Sequence, residues 1–74
     1  MEVFSIATLE TTLGVLRVSG LWNPLTGKVQ LQEIFELGMD GWSDTSFWLT
    51  EQSFEPEVSV IQVAVREYLI SQQN

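Results

Sequence analysis

The stretch EPEVSVIQVAVREYLIS, residues 55–71, decides the fold because it carries the clearest periodicity in the chain. Proline suits the first position of a helix, and the acidic residues on either side of Pro56 complement the positive end of the helix dipole. Successive residues step about 100° around an α-helix. One apolar sector then contains Val58, Ile61, Ala64, Val65, Tyr68 and Leu69. The sequence therefore predicts an amphipathic helix at about 56–71 with one face against a core.

A second, narrower apolar line runs along the back of the predicted helix. It contains Val60, Val63 and Ile70, with Glu67 among them. β-Branched residues have a poorer helix propensity than Ala, Lys or Glu, so they are unexpected on a side that faces only water. We therefore take Val60, Val63 and Ile70 as candidate residues for binding a partner.

The residues before the helix alternate between apolar and polar side chains, which is typical of β-strands. The predicted strands are 2–10, 13–22, 28–37 and 46–51. A short helix is the alternative for 31–37, because its apolar residues also match helical spacing. In the predicted registers Leu9 lies opposite Phe4 and Ile6, and Leu31 and Phe35 share a face. A shift of one residue would exchange these faces.

The 74 residues are expected to form a single α+β domain, residues 1–74, with an antiparallel sheet of three to four strands and the helix packed on one face. So short a chain buries a small core and usually needs disulfides, a metal or oligomerisation as further support. The chain has no cysteine and no histidine, which excludes disulfides and the commonest metal ligands. We therefore expect a homo-oligomer. Apolar residues on the face of the sheet away from the helix also favour self-association.

The chain is strongly acidic: ten Asp and Glu stand against three Lys and Arg, for a formal net charge of −7. Direct binding to nucleic acid or to an anionic membrane needs a basic patch, so we expect neither. A basic protein partner would be attracted. The alternative hypothesis is a phage-type decoy that mimics nucleic acid and inhibits a DNA- or RNA-binding protein. That hypothesis requires one continuous face made of Glu10, Glu33, Glu36, Asp40, Asp44 and Glu51.

The N-terminal residues MEVFSIATLE and the cysteine count bear on localisation. This stretch has no basic region followed by a long apolar run, so it does not resemble a signal peptide. No apolar stretch reaches the length of a membrane span. Because the absence of cysteine fits a reducing compartment, we expect a cytoplasmic protein.

Few residues could carry chemistry. The candidate carboxylate pairs for hydrolysis are Glu33 with Glu36 and Asp40 with Asp44. The sequence has no phosphate-binding loop, nucleophile elbow or dinucleotide motif, so we expect no enzymatic activity and no cofactor. Asp40, Ser43 and Asp44 offer oxygen atoms to calcium, but DGWSDTS does not follow the calcium-loop pattern. Turn formation explains these residues better, and no metal site is predicted.

The three tryptophans have two interpretations. Trp22, Trp42 and Trp48 are candidates for binding a partner, because tryptophan is enriched at binding hot spots. They would equally serve as large plugs in a small core. Binding of a sugar or another stacking ligand would require at least two rings exposed on one surface. The function predicted from the sequence is that of a non-catalytic, self-associating accessory subunit, adaptor or inhibitor.

Overall fold

The computed structural model describes residues 1–72 as a four-stranded antiparallel sheet with a long helix across one face. The strands lie in the order in which they occur along the chain. The elements are β1 (Glu2–Thr11), β2 (Gly14–Trp22), β3 (Val29–Gly38), β4 (Gly41–Asp44), two 3₁₀ helices (Ser46–Leu49 and Gln52–Phe54) and α1 (Glu55–Gln72). The predicted α+β architecture is confirmed, and the segment 31–37 is a strand rather than the alternative short helix.

A bulge in β1 decides which of its residues enter the core. β1 pairs with β2, and the register shifts between Ile6 and Leu9. The extra residue reverses the alternation of side chains beyond it. Phe4, Ile6 and Leu9 are therefore all buried. The prediction that Leu9 lies opposite the other two was wrong, because it assumed an uninterrupted period of two.

A second bulge has the same effect in β3. The register against β2 shifts after Leu31, so β3 holds one extra residue before Ile34. Leu31 and Ile34 are consequently both buried on the helix side of the sheet. Phe35 pairs with Arg17 on the opposite face. The prediction that Leu31 and Phe35 share a face was therefore wrong.

The fourth strand lies earlier in the chain than predicted. β4 ends at Asp44, and the segment 46–51, which was predicted as this strand, begins with a 3₁₀ helix instead. The carboxylate of Asp44 accepts a hydrogen bond from the backbone N–H of Ser46 at 2.9 Å. The backbone N–H of Thr45 donates to a carbonyl of β3 at 2.8 Å. The bond between Ser46 and Asp44 spans only two residues, and local bonds of this kind compete with strand pairing and lead the chain away from the edge of the sheet.

The helix packs its predicted apolar sector on the sheet. Ile61 and Val65 are completely buried, and Val58, Ala64 and Leu69 pack around them. Tyr68 is the exception in this sector, since more than a third of it is exposed. Nowhere in residues 1–72 is a helix both long and apolar enough to span a membrane.

The helix crosses the sheet from β3 towards β1. Near its middle, the side-chain amide of Gln62 donates to the carbonyl of Val29 in β3 at 3.5 Å. Two turns further on, Tyr68 lies beside Thr8 and Leu9 of β1. The second half of the helix therefore lies next to the outer edge of the first strand.

Candidate interaction surface

The apolar line on the back of the helix is open to solvent. Val60 is 40 % exposed, Val63 46 % and Ile70 49 %. Tyr68, on the side of the helix nearest β1, is 37 % exposed. We call these four residues the outer helix line. Three of them were singled out by the sequence, whereas Tyr68 was assigned to the core because its position on the helical wheel lies close to that of Ile61.

Part of the outer helix line borders a shallow groove along β1. Val60 and Val63 line this groove together with Thr11 and Thr12 at the end of the strand. A second groove, which adjoins the first, is lined by Tyr68 of the helix and by Thr8, Leu9 and Glu10 of β1. Val60, Val63 and Tyr68 therefore form one continuous surface with the edge of β1.

β1 is an open edge of the sheet. Among the described residues 1–72, β1 pairs with β2 alone, and it extends over 10 residues. Its central residues, Val3–Leu9, contain no charge and no proline, and Val3 is 81 % exposed. An unprotected edge strand presents a row of free N–H and C=O groups to another chain. This feature was not predicted: the uncharged run VFSIATL shows that the strand lacks protective charges, but strand order decides that the strand lies at an edge.

The face of the sheet away from the helix carries a partly covered apolar patch. Phe35 and Trp42 are half-buried there, and Leu37, paired with Trp42, is exposed. The guanidinium carbon of Arg17 lies 4.3 Å from the centroid of the Trp42 ring. The Nε–H of the same arginine donates to the carbonyl of Ala7 at 3.3 Å. This single side chain covers part of the patch and reduces the apolar area that faces water.

The three tryptophans occupy three separate places. Trp22 is buried in the core at 6 % exposure, so it leaves the set of candidate contact residues. Trp42 lies on the open face of the sheet. Trp48 stacks on Phe54, with ring centroids 5.5 Å apart, beside the start of the helix. Two tryptophan rings exposed on one surface, which a stacking ligand would need, are not found among these three.

The carboxylates that the decoy hypothesis needs do not share a face. Glu10 and Glu33 pair with β2 residues on the open face of the sheet, whereas Glu36 lies on the helix side. Asp40 is in the β3–β4 turn, and Glu51 lies between the two 3₁₀ helices. This arrangement counts against a continuous phosphate-like surface. It also separates Glu33 from Glu36, which removes that pair as a candidate for hydrolysis.

Asp44 has a structural role in the turn after β4. Hydrogen bonds from the backbone N–H and then from the side chain of Ser46 hold the pKa of the Asp44 carboxyl below its usual value. These bonds favour the charged form and fix the start of the 3₁₀ helix. Within residues 1–72, no group of three or more acidic, histidine or cysteine side chains lies close enough together to hold a metal ion.

Comparison with known proteins gives no relative: no protein-family model, no curated protein and no solved structure matches the chain. We therefore infer function from the surface described above.

Proposed function

We propose that this chain is a non-catalytic cytoplasmic protein that acts through protein–protein interaction, as an accessory subunit, adaptor or inhibitor, and that it self-associates. The observation that supports this most directly is the exposure of Val60, Val63 and Ile70 on the helix, two of which, Val60 and Val63, border the open edge of β1. Burying apolar side chains of this kind against a partner is favourable, because it removes them from water. A contiguous apolar surface on a small domain is typical of an interaction site.

The composition supports association for a second reason. Within residues 1–72 the core consists of ten buried apolar residues, and the chain has no cysteine with which to form a disulfide. A domain of this size gains stability by burying more apolar surface in an oligomer. A further partner with positive charge would be attracted by the net charge of −7.

The experiment that tests this proposal introduces a glutamate at either of two neighbouring positions that lie on different sides of the helix. Val60 borders the groove along β1, whereas its neighbour Ser59 faces β3 and the β2–β3 turn. We expect wild type and Ser59→Glu to form dimers in static light scattering, and Val60→Glu to be monomeric at the same concentrations. Circular dichroism would check that both variants fold. A monomeric wild type, or equal weakening by both variants, would count against the proposal.

A further inference from the structure

We propose that the partner is a second copy of this chain and that it pairs with β1 edge to edge, which joins two four-stranded sheets into one antiparallel sheet of eight strands. This inference rests on the proposed self-association and specifies how it is achieved. Antiparallel pairing supplies hydrogen bonds to the free N–H and C=O groups along both strands.

The two edges of the sheet differ in a way that selects β1. β4 has only 4 residues, and the chain leaves the sheet directly after it. Short edge strands are one of the ways in which proteins prevent unwanted pairing. β1 has 10 residues and lacks proline and lysine, and its central residues are uncharged. The bulge between Ile6 and Leu9 is the one protective device in this strand, and it leaves Glu2–Ile6 regular.

Because the dimer is symmetric, a single contact involves both the edge of β1 and the exposed apolar residues of the helix next to it. Two identical strands that pair antiparallel are related by a two-fold axis perpendicular to the sheet, so both helices lie on the same face of the joined sheet. Tyr68 lies beside Thr8 and Leu9 at this edge, and Val60 lies beside Thr11 and Thr12. The rotation therefore turns the side of each helix that carries Val60 and Tyr68 towards the other copy.

The charge distribution also favours this edge. Each copy carries a formal net charge of −7, so two copies repel each other over most of their surfaces. The segment Val3–Leu9 contains no acidic residue, and the outer helix line is interrupted by a single one, Glu67. The acidic residues of β1 itself, Glu2 and Glu10, lie on either side of this segment. Added salt screens the remaining repulsion and should tighten the dimer, whereas it would weaken binding to a basic partner.

Pairing through β1 also gives a closed assembly. Each copy has one long edge, and a two-fold contact uses both long edges at once. The joined sheet then ends in β4 on either side, which is short. The expected product is a dimer rather than a fibre.

Disulfide trapping tests this pairing cleanly, because the chain has no cysteine of its own. Residues directly opposite each other in an antiparallel pair have Cα atoms roughly 4.5–5.5 Å apart, within the range of a disulfide. Val3, Ser5 and Ala7 lie along one exposed side of β1. The variants Val3→Cys, Ser5→Cys and Ala7→Cys would be oxidised singly and in mixed pairs. Ser43→Cys in β4 is the control.

A two-fold axis near the middle of β1 places each of these positions opposite itself or opposite another of them in the second copy. We therefore expect one of these variants, or one mixed pair, to form a disulfide-linked dimer quickly and in high yield. Ser43→Cys should stay largely uncross-linked. If wild type is a dimer by light scattering but no β1 position cross-links better than Ser43→Cys, the pairing is wrong and self-association stands. If wild type is a monomer, both proposals are wrong.

Discussion

Arg17 and Trp42 connect two strands that are not neighbours: the guanidinium carbon lies 4.3 Å from the centre of the indole ring, across the open face of the sheet. Arg17 belongs to β2 and Trp42 to β4, so the contact crosses over β3. The same arginine is hydrogen-bonded to Ala7 in β1. One side chain therefore contacts both edge strands.

Replacing Arg17 should loosen the sheet without unfolding it. We expect Arg17→Ala to lower the free energy of unfolding by about 1 kcal/mol, because it removes a partly exposed cation–π contact and a hydrogen bond to the backbone. Arg17→Lys keeps the cation and should lose less. Urea denaturation followed by circular dichroism measures the difference. Equal stability of Arg17→Ala and wild type would show that the contact contributes nothing.

Neighbouring helix residues should respond differently to truncation. Ile61 is completely buried, so Ile61→Ala should cost about 2–5 kcal/mol through lost burial and the cavity left behind. Val60 is exposed, so Val60→Ala should change the stability of the monomer by less than about 0.5 kcal/mol. Denaturation at concentrations below those of self-association separates the two effects. Similar losses in both variants would contradict the orientation of the helix.

Gly20 should be far less replaceable than Gly38. A Cβ at Gly20 would overlap the backbone carbonyl oxygen of Gln30, at the point where the β3 bulge brings the two strands together. A Cβ at Gly38 meets its nearest neighbour at 3.9 Å, an ordinary contact. We expect Gly20→Ala to cost at least about 2 kcal/mol, since the backbone must move, and Gly38→Ala to be nearly neutral. Thermal unfolding of both variants checks this, and a stable Gly20→Ala would contradict the register.

The stability contributed by Asp44 should depend on pH. Its carboxyl has a folded-state pKa below the usual value of an aspartate, because Ser46 hydrogen-bonds to the charged form. A lowered pKa means that the stabilisation is complete above the unfolded pKa and is lost as the pH falls through the folded one. Asp44→Asn keeps a hydrogen-bond acceptor but removes the charge.

Wild type should therefore be more stable than Asp44→Asn at neutral pH, and this difference should shrink at an acidic pH below the folded-state pKa of Asp44, where the carboxyl becomes protonated. Comparing the urea midpoints of the two proteins at both pH values cancels the titration of the other acidic residues. A difference that stays constant over this range would mean that the charge of Asp44 has no special partner in the folded state.

The helix and three residues of its outer line, Val60, Val63 and Ile70, were predictable because a period of 3.6 residues recurs several times between Val58 and Ile70. β1, β2 and β3 were also placed to within one or two residues. The two bulges were not predictable, since one extra residue inverts the pattern after it and leaves no mark of its own in the composition.

The fourth strand and the positions of the tryptophans were hard to predict for a different reason. The chain leaves the sheet after Asp44, where the backbone N–H of Ser46 donates to the Asp44 carboxylate, and apolar spacing does not reveal this bond. The positions of Trp42 and Trp48 depend on that turn. The open edge of β1 depends on strand order, which is a property of the whole sheet.

Sedimentation equilibrium of the wild-type protein at low and high salt tests the central claim most directly. Self-association through β1 predicts a mass approaching twice the 8.4 kDa of one chain as the concentration rises, with a dissociation constant that falls when salt is added. A mass that stays at 8.4 kDa over the whole range of concentration and salt would contradict it.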